Sequence, residues 1–235
     1  MTFVRGAIAA SALTASAIAW PAAAALALPV ASGGGFSVGV TSWRDLPFRT
    51  VVRQQFDYSC GSAALATLLS YNYGHPVGEA EIFKAMYAVG DQAKIRKVGF
   101  SLLDMKRYLA SVGYSADGYR LPLSEIERQG LPGIALIKTG SYRHFVVIKG
   151  MRGGRILVGD PALGVKAMSR ADFEKVWSGI FFIINKDGGA RFNEEAEWKA
   201  ILHPLMNPYL SEQSTGALLR DMPTLYQITA IQIIH

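Results

Sequence analysis

A single cysteine at the entrance to a run of small and apolar residues constrains this chain more than any other feature. Cys60 is the only cysteine among 235 residues. It stands in Arg53-Gln54-Gln55-Phe56-Asp57-Tyr58-Ser59-Cys60-Gly61-Ser62-Ala63-Ala64-Leu65, where an extended segment gives way to a helix. One thiol cannot close a disulfide within the chain, so a structural crosslink is excluded. Two readings remain. A helix N-terminus offers unpaired N–H groups and the positive end of the macrodipole, which favour a reactive thiolate. A buried free cysteine can equally serve as a small hydrophobe, and the local sequence weighs the two alike.

The first half of the chain reads as helical. Ala64, Leu65, Leu68, Leu69 and Asn72 fall at helical spacing after Cys60, while Gly61, Ser62, Ala63 and Ala66 leave a thin face that a second layer can approach closely. Tyr73-Gly74-His75-Pro76 ends that helix and makes His75 a loop residue. Glu79 to Val89 reads as a second amphipathic helix. Lys94-Ile95-Arg96-Lys97 reads as a solvated basic loop. Ser101 to Val112 reads as a third helix, with Ser101 and Asp104 in capping-box positions and Gly113 closing it.

The period then changes. Tyr114–Tyr119 reads as a short strand, Leu123–Gln129 as a short helix and Gly133–Lys138 as a buried strand. His144–Lys149 and Arg155–Asp160 form a hairpin, Ser169–Trp177 a capped helix and Ile180–Ile184 a last core strand. Helices first and mostly antiparallel strands afterwards make the fold α+β, with the cysteine-bearing helix packed on the sheet. Half of the residues are hydrophobic, enough for one full core.

The ends read differently. Arg5, the alanine-rich run from Gly6 to Trp20 and Ala25-Leu26-Ala27 have the charge, apolar stretch and small-residue cleavage site of a secretory signal over residues 1–27. Pro21 interrupts any helix long enough to span a bilayer, so no stable membrane insertion follows signal removal. Residues 28–47 form a linker and lead-in, 48–186 the main domain, and 187–235 an extension. In that extension, 194–202 has helical character and 224–234 is apolar and β-rich. The expected location is periplasmic or secreted. Net charge is +6, but no basic run interleaved with aromatics points to nucleic acid. The scattered histidines lack ligand spacing, so no metal and no cofactor is expected.

A nucleophilic thiol needs a base, and the base an orienting group. Of the four histidines, His203 precedes a proline in the extension and His235 is the last residue, whereas His144 opens a strand. The expected connection is a three-residue hairpin loop, Met151-Arg152-Gly153, in which Gly150 pairs with Gly154 and Asp160 falls opposite His144 on one face. A two-residue Gly153-Gly154 turn would send Asp160 to the other face. The Cys60 backbone N–H and a side-chain amide complete an oxyanion site. Gln54 is the candidate, and its neighbour Gln55 would point the opposite way.

Gln54-x5-Cys60-Gly61-Ser62-Ala63-Ala64-Leu65, His144-Phe145-Val146-Val147 and Asp160-Pro161-Ala162, in that order, resemble the peptidase C39 family over about residues 48–186. Its members are papain-like cysteine proteases known for cutting double-glycine leader peptides. The resemblance implies a papain-like fold, with Cys60 as nucleophile, His144 as general base and acid, Asp160 as orienting carboxylate and Gln54 as oxyanion donor. The chain departs from many members in lacking a transmembrane bundle and a phosphate-binding loop. It is more similar to the separate, exported members that accompany secretion systems, including those serving functional amyloids. The implied partner is therefore a secreted peptide or protein precursor. Two rival readings are a non-catalytic binding or assembly module on the same scaffold and an acyltransferase using the same residues.

Overall fold

The computed structural model describes residues 25–29, 35–39, 42, 44–56, 58–139, 142–185 and 190–202. The chain divides into two units, Met1–Trp43 and Arg44–His235. In the first, strands β1 (Ala25–Pro29) and β2 (Gly35–Gly39) pair antiparallel. Most of the expected signal segment, His203, His235 and the apolar stretch 224–234 lie outside the described residues.

The second unit opens with helix α1 (Cys60–Thr67), every residue of which is buried, continued by a π-helical turn over Leu68–Asn72. A helix buried all round needs small residues where neighbours press closest. A side chain at Gly61 would come within 2.8 Å of the Met105 methyl and 3.1 Å of Phe100 Cβ. This is the close approach that the thin face of the helix anticipates.

Helices α2 (Glu79–Val89), α3 (Gln92–Val98) and α4 (Leu102–Ser111) follow. The Ser101/Asp104 capping box is present on α4. Helix α3 corrects the expectation of a solvated loop at 94–97. Asp91 caps it by accepting from Lys94 N, and Ile95 is its one buried residue, too little for a visible hydrophobic period.

Strand β3 (Ala116–Arg120), helix α5 (Leu123–Gln129), strands β4 (Gly133–Thr139), β5 (Tyr142–Arg152), β6 (Arg155–Asp160) and β7 (Gly164–Ser169), helix α6 (Arg170–Val176), strand β8 (Trp177–Ile184) and helix α7 (Glu195–Leu202) complete the unit. Six strands form one antiparallel sheet in the order β3-β8-β4-β5-β6-β7. Strand alternation on β5 divides the core. Phe145 and Val147 join the cluster of α1, α2 and α4, whereas Val146 and Ile148 join the cluster of α5 and α6. A smaller cluster sets Trp198 and Ile201 of α7 against Leu157 of β6.

The hairpin between β5 and β6 differs from expectation. Arg152 pairs with Arg155 across a two-residue Gly153-Gly154 turn, both glycines with positive φ (58° and 73°), the backbone of a type I′ turn. The three-residue loop is therefore wrong. Yet the register shifts between Ile148 and Gly150, so that Lys149 is an extra residue on β5 and Ile148 pairs with Val158. This β-bulge changes the facing of every residue beyond it. Continued along β6, the shifted register sets Asp160 opposite Val146, on the face that His144 shares. The turn alone would have separated the two side chains, and the bulge reunites them.

Candidate active site

Cys60 is the first residue of α1, preceded by Ser59, and its side chain is 5% exposed. His144, two residues into β5 and opposite Ile137 of β4, is buried. Its Nε2 lies 2.7 Å from Asp160 Oδ1, and the Cys60 side chain is close enough to act on the charge of the ring. With Nε2 engaged by the carboxylate, Nδ1 is the nitrogen left for sulfur. The structure thus joins three side chains drawn from a helix start, an early strand position and a strand end.

Asp160 is 2% exposed, and both of its oxygens are occupied. Oδ1 also accepts from Ala162 N at 3.0 Å, and Oδ2 accepts from Lys166 Nζ at 2.9 Å. Burial opposes the Asp160 charge, but the hydrogen bonds and charges of His144 and Lys166 outweigh it and hold the carboxyl below the usual range. For His144, burial is the largest single influence and disfavours the imidazolium. The hydrogen bond and charge of Asp160, together with the influence of Cys60, overcome it and raise the ring from 6.5 to about 9. The imidazole is therefore charged at neutral pH.

The segment ahead of the cysteine is pinned at three points by three different elements. Val52 N donates to Thr67 Oγ1 of α1, Gln54 N to Pro161 O beside Asp160, and Gln55 N to the Glu79 carboxylate of α2. Gln54 is partly buried and Gln55 exposed, the opposed orientation expected of neighbours in an extended chain. The Gln54 side-chain amide donates to Phe56 O at 3.2 Å, which leaves its second N–H for another acceptor.

Sequence reasoning missed two of these partners. Glu79, 4% exposed, accepts from Ser59 Oγ at 2.5 Å as well as from Gln55 N, so one buried carboxylate holds the residue before the nucleophile. As the first residue of a helix it looks like an ordinary favourable charge at the macrodipole. Lys166 lies on β7, a strand absent from the sequence reading.

A groove of about 1240 Å³ runs from Cys60 along α3 and the start of α4. Tyr58, Phe100, Leu136 and Phe145 line it together with Cys60, and Val98 and Leu103, both well exposed, also line it. Lys94, Arg96, Lys97, Arg107 and Arg143 also line it, against Asp91 and Asp104, which cap α3 and α4. Among the described residues, no group of His, Cys, Asp and Glu could hold a metal ion, and no helix is long and apolar enough to cross a membrane.

A cysteine at the start of a buried helix, packed on an antiparallel sheet that carries its histidine, defines the papain-like class of cysteine peptidases. The chain belongs to the peptidase C39 family, whose sequence pattern matches residues 49–188. It is 42% identical over 172 residues to the probable functional amyloid protease FapD of Pseudomonas aeruginosa, spanning 73% of this chain and 76% of that protein. FapD of Pseudomonas fluorescens is 40% identical over 154 residues, 66% of this chain and 68% of the relative. Among solved structures, the peptidase domain of Streptococcus ComA superposes with a TM-score of 0.51 at 22% identity, covering 57% of this chain and 96% of that domain. That likeness concerns the fold.

Proposed function

We propose that Cys60, His144 and Asp160 form the catalytic triad of this cysteine peptidase, with Gln54 as side-chain oxyanion donor. One observation carries the reading: a buried imidazole 2.7 Å from a buried carboxylate and within electrostatic reach of the only thiol. The Cys60 thiolate attacks the scissile carbonyl, and negative charge moves to the carbonyl oxygen. The Cys60 N–H and the Gln54 amide stabilise it there. His144 gives its proton to the leaving amine, then takes one from water as the water attacks the thioester, and the acid product leaves with the thiolate restored. Asp160 fixes the ring so that Nδ1 faces sulfur, and it stabilises the imidazolium.

The substrate we propose is a secreted precursor of a functional-amyloid system, cut after a double-glycine type site by an enzyme working in the periplasm or outside the cell. The likeness to proteins described as functional amyloid proteases supports the system, and the N-terminal sequence supports the location. The groove supports a peptide whose segment before the cut carries apolar and acidic side chains. Glycines at the cut would place no side chain against the aromatic lining that the groove shares with Cys60. Synthetic peptides of that pattern, with Gly-Gly or Leu-Leu before the cut, test the reading by mass spectrometry. Cleavage of the first, and none by Cys60→Ala, is expected. Equal cleavage of both peptides would overturn the double-glycine assignment, and full turnover by Cys60→Ala would overturn the mechanism.

A further inference from the structure

Residues 190–202 lie beyond the part of the chain that matches the family, yet they hold the strand that carries His144. Strand β4 stops pairing with β5 at Gly133, opposite Ile148. Past that point Asn193 replaces it. Its backbone N donates to Lys149 O at 3.0 Å, its Oδ1 accepts from Met151 N at 2.7 Å, and its Nδ2 donates to Met151 O at 3.0 Å. Asn193 adopts a φ of 61°, and its Oδ1 would sit 2.5 Å from a Cβ at Gly150, so only glycine fits there. The contact falls on the β-bulge that returns Asp160 to the face of His144.

The bulged residue is the unexpected one. Lys149 is 1% exposed, and a charge so buried needs partners. Its Nζ lies 2.7 Å from Glu197 Oε1 of α7 and donates to Thr50 O at 2.8 Å. Its aliphatic stem lies against Gly159, where an added Cβ would meet Lys149 Cδ at 3.0 Å. One side chain therefore touches the residue before Asp160, the carbonyl that leads into the Gln54 segment, and the segment outside the family domain.

We propose that Lys149 is a positioning residue for the His144–Asp160 pair, and that Glu197 and Asn193 make residues 190–202 an integral clasp of the catalytic domain. The idea rests on the triad reading above. Lys149 joins the bulge to both halves of the site, and Glu197 supplies the charge that lets an ammonium remain buried there.

The test is built to separate positioning from simple stability. Glu197→Leu alone strands a buried ammonium and should unfold the chain at lower temperature. The double variant Lys149→Met/Glu197→Leu replaces the pair with apolar volume and should recover a melting temperature close to that of wild type. Its Thr50 carbonyl and bulge nevertheless lose their strut. The probe is iodoacetamide, with the second-order rate at Cys60 followed by intact mass at about pH 6, where an unactivated thiol is slow. A misplacement of about 1 Å can cost on the order of 10²-fold, so the folded double variant should label at least ~10-fold more slowly than wild type. Glu197→Asp, which keeps the charge, should recover most of the rate. A double variant that melts and labels like wild type overturns the proposal and leaves the triad reading standing. A wild-type chain that labels no faster than free cysteine overturns both.

Discussion

Asp160→Asn isolates what the carboxylate contributes, because the amide oxygen can still accept from His144 Nε2 while the charge is gone. Burial is the largest influence on His144 and works against the imidazolium. Asp160 supplies the largest opposing contribution and a second one through its charge. With that charge removed, the ring should fall from about 9 to its ordinary 6.5 or below. The difference corresponds to roughly 3 kcal/mol of preference for the charged ring. At about pH 7.5 the wild-type ring is almost wholly protonated, and the variant ring is protonated in about one molecule in ten. The general acid is then mostly absent, and kcat/KM should drop ~10-fold from protonation alone, with further loss wherever the amide turns its NH₂ toward the ring. The assay is a titration of the His144 ring signals by NMR, assigned with His144→Gln, beside the pH profile of peptide cleavage. In the variant the alkaline limb should move down by about 2.5 pH units. A ring that titrates alike in both proteins would refute the electrostatic account, even if activity fell.

Three further outcomes follow from the same contacts. Glu79→Gln weakens charge-assisted hydrogen bonds to Ser59 and Gln55 and should cost about 1.5–3 kcal/mol in denaturant unfolding. It should also lower kcat more than it changes KM, and an unchanged kcat would remove Glu79 from the positioning of Cys60. The raised His144 makes its contribution to stability complete below its ordinary 6.5 and lost as pH rises through about 9, so the melting temperature should fall across that interval. On the acid side the depressed Asp160 contributes above its ordinary 3.8 and loses that contribution as pH falls below it. Calorimetry of wild type against His144→Gln checks the alkaline arm, and equal slopes would contradict it. Lys166→Met leaves Asp160 with less competition for its charge, which should raise His144 further and shift the alkaline limb upward, whereas a downward shift would contradict the role assigned to Lys166.

Short-range signals carried much of this structure. The capping box at Ser101 and Asp104, the helices Glu79–Val89 and Leu123–Gln129 and the apolar strands around His144 all follow from local propensity and periodicity. Cys60 and His144 could be singled out because cysteine and histidine are scarce in this chain, whereas Asp160 is reached through a hairpin register that the structure corrects and through the Asp160-Pro161-Ala162 block of the family resemblance. The register that brings His144 and Asp160 together could not be read the same way. It depends on two departures that compensate, a tight Gly153-Gly154 turn and a bulge at Lys149. A bulge has no residue signature of its own, and a lysine in a strand ordinarily reads as solvent-facing. Its burial depends on Glu197, far along the sequence, just as the role of Glu79 depends on a serine in another element. Pairings of that kind become visible only when the chain is folded.

The claim on which the rest depends is that the sulfur of Cys60 forms a bond to the substrate's carbonyl carbon. Acid-quenching a reaction with a cleavable peptide, followed by mass spectrometry of the digested chain, reads this directly. The account predicts one thioester adduct, of the mass of the N-terminal product less water, on the fragment carrying Cys60, and none in Cys60→Ala. Peptide cleavage that persists at the wild-type rate in Cys60→Ala, with no adduct on Cys60 in the wild-type chain, would contradict it.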